Sequence, residues 1–232
     1  MDDLKQMFGR PITWLAIAVF TALACARAIL AHMAMVNASS SADALRMFLV
    51  TTAIGLCLFI ARIVLRYVLS RRLGNPDGSA SDPATGLYVS YVVAYEFVFA
   101  VLTSGLPFAI AQFRWSPKLL VLASDAARIL LALILFTFAV RMVALAHGSP
   151  AMTLRRIRKS VGLPWHAALM AIMLASSFLT YSLGANHPAA PFGAVLSGCL
   201  NFGFTQVLLM LLAIAAYRHA ARKHGDMSGV FA

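Results

Sequence analysis

The chain has 232 residues, 61% of them hydrophobic and 12% charged, with 19 Lys and Arg against 8 Asp and Glu for a formal net charge of +11. Soluble domains run at roughly 45–50% apolar and about 25% charged residues, so this composition excludes an ordinary water-solvated globule and fits a helical bundle solvated by lipid. The basic residues fall at the ends of apolar runs, which reads as membrane topology and anionic-lipid contact and gives no reason to invoke nucleic acid.

Runs near twenty apolar residues predict six spans, at about 12–36, 45–69, 87–113, 119–147, 165–184 and 192–217, in one membrane domain covering 1–232. The first run comes after MDDLKQMFGRP and contains Ala24-Cys25-Ala26, an imitation of a secretory signal with its cleavage site. Apolar sequence resumes beyond Arg27 and reaches Val36, so the run is expected to be kept as a span, with Ala18, Ala22 and Ala26 as a small-residue packing stripe. After the second run comes the most polar stretch, SRRLGNPDGSASDPATG at 70–86, whose Gly, Pro, Ser and Asp predict a loop.

The third run carries Glu96 near its middle and Pro107 in its outer half, the latter after Ser104 and Gly105. Pro107 is the one proline inside a run; it is expected to bend the helix and is a candidate gating kink. Asp125 and Arg128 stand one turn apart inside the fourth run. A charge near the bilayer centre costs about 2.5–3.5 kcal/mol on insertion scales, so both are expected to be satisfied within the protein.

Between the fourth and fifth runs lies MTLRRIRKSVGL at 152–163, with Leu154, Ile157 and Val161 at helical spacing. It predicts a short helix on the membrane surface whose Arg155, Arg156, Arg158 and Lys159 touch anionic headgroups; a plain positive-inside flank is the alternative. The sixth run opens with Gly193, Ser197 and Gly198, which allow close helix approach, and carries Asn201 and Gln206.

A cytoplasmic N-terminus puts Lys5, Arg10, Arg62, Arg66, Arg71, Arg72, Arg141, Arg155, Arg156, Arg158, Lys159, Arg218, Arg222 and Lys223 inside and leaves only Arg46, Arg114 and Lys118 outside. That bias predicts both termini in the cytoplasm. At about 1.5 Å of rise per residue, Glu96, Arg128 and Asn201 fall near the midplane, with Asp125 and Arg27 somewhat further out. The expected network has Glu96 facing Arg128, Arg27 reaching Asp125, and Asn201 or Gln206 satisfying leftover donors. It would act as a substrate or ion site, or as a static lock between helices.

No catalytic constellation emerges. Ser197-Gly198 lacks the glycine two positions earlier that intramembrane serine proteases show, and HExxH and phosphate-cradling glycine loops do not occur. His32 and His187 near the outer face and His147 and His166 near the inner one invite a haem reading, but no spacing sets them on facing helices at matched depth. Cys25, Cys57 and Cys199 have neither pairing nor metal spacing and are expected as free thiols. No cofactor and no metal are therefore assigned.

The expectation is an all-α, six-span protein of a bacterial inner membrane, the source being suggested by prominent Ala and Arg and scarce Lys. Its role is expected in transport, as a small permease or as a membrane subunit of a larger transport or secretion assembly. A non-transporting structural subunit, alone as a homo-oligomer or docked to other membrane subunits, is the alternative. Haem binding or other membrane enzymology ranks last.

Overall fold

The computed structural model describes residues 2–37, 41–74, 85–111, 117–149, 152–185 and 191–224. Among them the chain is all-helical, with no strand: α1 Asp2–Phe8, α2 Pro11–Asn37, α3 Ser41–Gly74, α4 Thr85–Ala111, α5 Pro117–Ala146, α6 Leu154–Ser160, α7 Leu163–Ala185 and α8 Pro191–His224. Each of the six apolar runs falls on a helix among the described residues. Among the described residues, three stretches are long and apolar enough to cross a membrane: Asp125–Ala146, Leu163–Thr180 and Val195–Lys223. Proline marks the starts, as the first residue of α2, α5 and α8, where a missing N–H costs nothing.

Several boundaries differ from those that the apolar runs predict. The helix of the second run continues to Gly74 and that of the last to His224, while α5 ends at Ala146 and leaves His147 in the turn after it. The seven-residue α1 has no counterpart among the predicted elements. Of the 70–86 loop, residues 75–84 lie outside the described residues, as do 38–40, 112–116 and 186–190. α4 runs through Pro107 to Ala111; the Pro107 side chain lies outside what is described.

The chain divides into two compact units. The first, Met1–Val68 with Phe178–Leu208, holds α1, α2, most of α3, the end of α7 and the first half of α8. Here α2 buries Thr13, Ala16, Ile17, Phe20 and Thr21, the i, i+3, i+4, i+7, i+8 pattern of one helix face. α8 meets that face at Gly203, where an added Cβ would lie 2.9 Å from the Thr21 backbone nitrogen and 3.0 Å from the Ile17 carbonyl oxygen, so only glycine permits the approach. The expected stripe of Ala18, Ala22 and Ala26 is on the exposed side of α2, and Gly198 has open space around it. α1 folds back on α2, with the Thr13 hydroxyl donating to the Met7 carbonyl at 2.7 Å and the Phe8 ring beside Trp14 and Phe204.

The second unit, Leu69–Ser177 with Leu209–Ala232, packs α4 against α5 and gathers the end of α3, α6, the start of α7 and the second half of α8. Its core includes Val92, Phe136, Val140, Leu145, Ile157, Leu211 and Ile214. α4 shows how this chain meets its surroundings. Its outward side chains are Leu87, Val89, Val93 and Phe97, whereas its buried stripe, Tyr88, Val92 and Glu96 at four-residue spacing, contains the helix's carboxylate. Oil outward and charge inward is the reverse of a water-facing helix and suits a lipid solvent.

Candidate functional site

Glu96 lies about 17 Å along α4, a helix of 27 residues and hence about 40 Å, and is 3% exposed. Asp125 and Arg128 form an ion pair within α5, Arg128 Nη1 to Asp125 Oδ1 at 3.7 Å, with side chains 32% and 53% exposed. Arg128, expected opposite Glu96, is thus drawn to the carboxylate one turn before it on its own helix, the nearest geometry an α-helix offers. The side chain of Arg27 lies outside the described residues.

Asn201 and Gln206 do join helices within the first unit. Asn201 Nδ2 donates to the Thr180 hydroxyl at 2.8 Å, tying α8 to α7, and Thr205 Oγ1 donates to Asn201 Oδ1 at 3.5 Å. Gln206 Oε1 accepts from Arg62 Nη2 at 3.4 Å, tying α8 to α3. Amide and hydroxyl bonds of this kind are the usual polar links between helices in lipid.

Among the described residues, a second polar cluster is built largely from residues that sequence position alone classes as topology charges. It lies in the second unit, where α3 and α5 end, and it arises from the unpaired carbonyls that every helix leaves at its C-terminus. α5 closes on Gly148, whose φ of 68° is the left-handed value glycine adopts without strain. The His147 N–H bonds Val143 O, the Gly148 N–H bonds Leu145 O and the Ser149 N–H bonds Ala144 O, which is a Schellman closure. That leaves Ala146 O, and Arg71 Nη1, from the end of α3, donates to it at 3.2 Å.

The exchange is reciprocal. His147 Nε2 donates to Ser70 O at 2.6 Å, while Arg218 of α8 donates through Nε to Gly74 O at 3.3 Å and through Nη2 to Leu73 O. Cations at a helix C-terminus are also favoured by the helix dipole. Arg141 Nη1 holds the connection to α6 by bonds to Ser149 O, at 3.3 Å, and Met152 O, and its guanidinium carbon lies 6.0 Å from the centre of the Tyr91 ring. The Tyr217 hydroxyl meets Ser149 Oγ at 3.2 Å, and the ring of Tyr217 stacks on His147.

Burial pushes the His147 imidazole from its ordinary 6.5 down to about 4; the bond to Ser70 opposes the shift, and Arg71 and Arg218 add to it. His147 is therefore a neutral donor at physiological pH, with its proton on Nε2. The guanidinium donors of this cluster point at main-chain oxygens, so its chemistry is cohesion between helix ends. Only the His-Gly pair at 147–148 gives a local hint of it, as a helix-ending signal. Partners 75 to 145 residues apart in the chain leave no mark that sequence patterning detects.

Among the described residues, no group of three or more His, Cys, Asp or Glu side chains is placed to hold a metal ion. Comparisons with protein-family models, with curated proteins and with solved structures find no match to this chain.

Proposed function

We propose that this chain is a multi-pass protein of six membrane-spanning helices in a bacterial inner membrane, with both termini cytoplasmic, that serves transport as a small permease or as the membrane subunit of a larger transport or secretion assembly. The observation behind this reading is Glu96, a carboxylate in the buried stripe of α4 whose outward face is oil. Carboxylates inside a membrane bundle are costly and are kept where a proton, ion or polar solute is handled. Protons are the first candidate because a carboxylate binds and releases them without further ligands.

Vesicles holding the purified full chain and a pH-sensitive dye, energised by a potassium diffusion potential, test this. Wild type is expected to pass protons and folded Glu96→Gln to lose the flux. Equal flux from the two folded proteins would remove Glu96 from any pathway.

A second reading, a non-transporting subunit of a membrane complex, draws on the outward ion pair of Asp125 and Arg128. Two charges on the surface of an apolar helix are better accommodated against another protein than against acyl chains. Mild solubilisation discriminates: a stoichiometric membrane partner that is lost with Asp125→Ala/Arg128→Ala supports the subunit reading, and a lone chain or homo-oligomer with flux supports the permease.

A further inference from the structure

We infer that α6 is a docking surface for anionic phospholipid headgroups, held at headgroup depth by the two apolar helices it connects. The inference rests on the reading of α5 and α7 as membrane-crossing helices and does not depend on what the protein transports. Asp125–Ala146 and Leu163–Thr180 each have the length and apolarity to cross, and only sixteen residues separate Ala146 from Leu163. A connection that short, with a helix inside it, stays at the membrane surface from which both spans depart.

The orientation of α6 is fixed by what it buries. Ile157 is fully buried, Ser160, Val161 and the preceding Met152 are buried with it, and the Thr153 hydroxyl caps the helix by accepting from the Arg156 N–H. The anchoring face therefore belongs to the protein. Arg155, Arg156, Arg158 and Lys159 are all exposed on the remaining surface. The chain has no Asp or Glu between Asp125 and Asp226, so the local sequence supplies no carboxylate to neutralise this face.

The start of α7 is also interfacial in character. Leu163, its first residue, is 82% exposed, and Trp165 packs near the His219 ring with centroids 5.8 Å apart. An exposed leucine and a tryptophan beside a basic helix are the elements of a segment lying in the headgroup layer, and anionic lipid is the ligand whose charge complements four exposed cations. A lipid surface is favoured over a soluble phosphate ligand because the four cations spread over the outside of a convex helix.

The test uses the full chain in an uncharged detergent, with bound lipid counted by native mass spectrometry as phosphatidylglycerol or phosphatidylcholine is added. Wild type is expected to retain phosphatidylglycerol over phosphatidylcholine. At about fivefold per cation, Arg155→Gln/Arg156→Gln/Arg158→Gln/Lys159→Gln is expected to weaken phosphatidylglycerol retention by a hundredfold or more. Lys5→Gln/Arg10→Gln, which removes two exposed cations elsewhere, is expected to weaken retention far less than the quadruple variant does, and an equal loss from the two variants overturns the assignment to α6. Equal retention by wild type and the quadruple variant overturns the inference, as does competition by glycerol phosphate at the same concentration as the lipid. Alkaline extraction of membranes separates the two layers of argument: a chain released by alkali ends the membrane reading and this inference together, whereas a retained chain with unchanged lipid selectivity ends this inference alone.

Discussion

The imidazole of His147 lies flat on the phenol ring of Tyr217, with ring centroids 5.2 Å apart and planes 7° from parallel. Gly74 confines the same imidazole, because a Cβ there would fall on its Nε2 edge. Gly74→Ala is therefore expected to force the ring from its place between Tyr217 and the Ser70 carbonyl, at a cost of about 1–3 kcal/mol. Gly55, with nothing within 4 Å of an added Cβ, is the control, and Gly55→Ala should be neutral or slightly stabilising. Melting of the two variants in detergent checks this; equal melting temperatures would show that the ring yields freely.

His147 also makes stability depend on pH. Its pKa is about 4 when folded and near 6.5 when unfolded, so the unfolded chain takes up the proton first as pH falls. The stabilisation is complete above 6.5, declines through the window from 6.5 to 4, and amounts to roughly 3 kcal/mol over the whole window. Melting curves of wild type and His147→Gln between pH 7.5 and 5 are expected to converge as the pH is lowered. Parallel curves would mean that His147 titrates no differently in the fold.

Arg218, 5% exposed, is committed to two carbonyls at the end of α3. Arg218→Met keeps most of the volume and strands those oxygens, a loss of about 2–3 kcal/mol. Arg218→Lys should recover only part of it, since an ammonium lacks the planar fork that serves both acceptors. Full recovery by lysine, read from unfolding in detergent, would reduce the residue to a point charge.

In the first unit, Cys25 of α2 and Cys199 of α8 are near enough to interact electrostatically, and both are free thiols. Copper phenanthroline oxidation of the full chain is expected to join these two and to leave Cys57 unlinked, as read by non-reducing peptide mapping. A dominant product containing Cys57 would contradict the packing of α2 on α8 at Gly203.

The helices are legible in the sequence because a helix able to cross a membrane follows a coarse rule: a long apolar run, proline at its start and basic residues at its end. The inner burial of Glu96 and the cross-helix roles of Asn201 and Gln206 obey the same rule, since a polar side chain in such a run has few places to go. The partners lie beyond it. Complementary sign and matched depth suggest Glu96 for Arg128, but sequence depth carries no azimuth, and Asp125 three residues away is nearer. The joints between helix ends are hidden for a related reason. Arg71, Arg141 and Arg218 resemble topology charges by position, and only three-dimensional proximity shows that each points at a main-chain oxygen.

Because α3 lends α5 an arginine and takes back an imidazole bond, neither terminus can fray by itself without stripping a bond from the other. Amide hydrogens at 70–74 and 143–149 are accordingly bound to open in one shared event, slower than the loose ends of ordinary surface helices, and exchange with deuterium at a common rate.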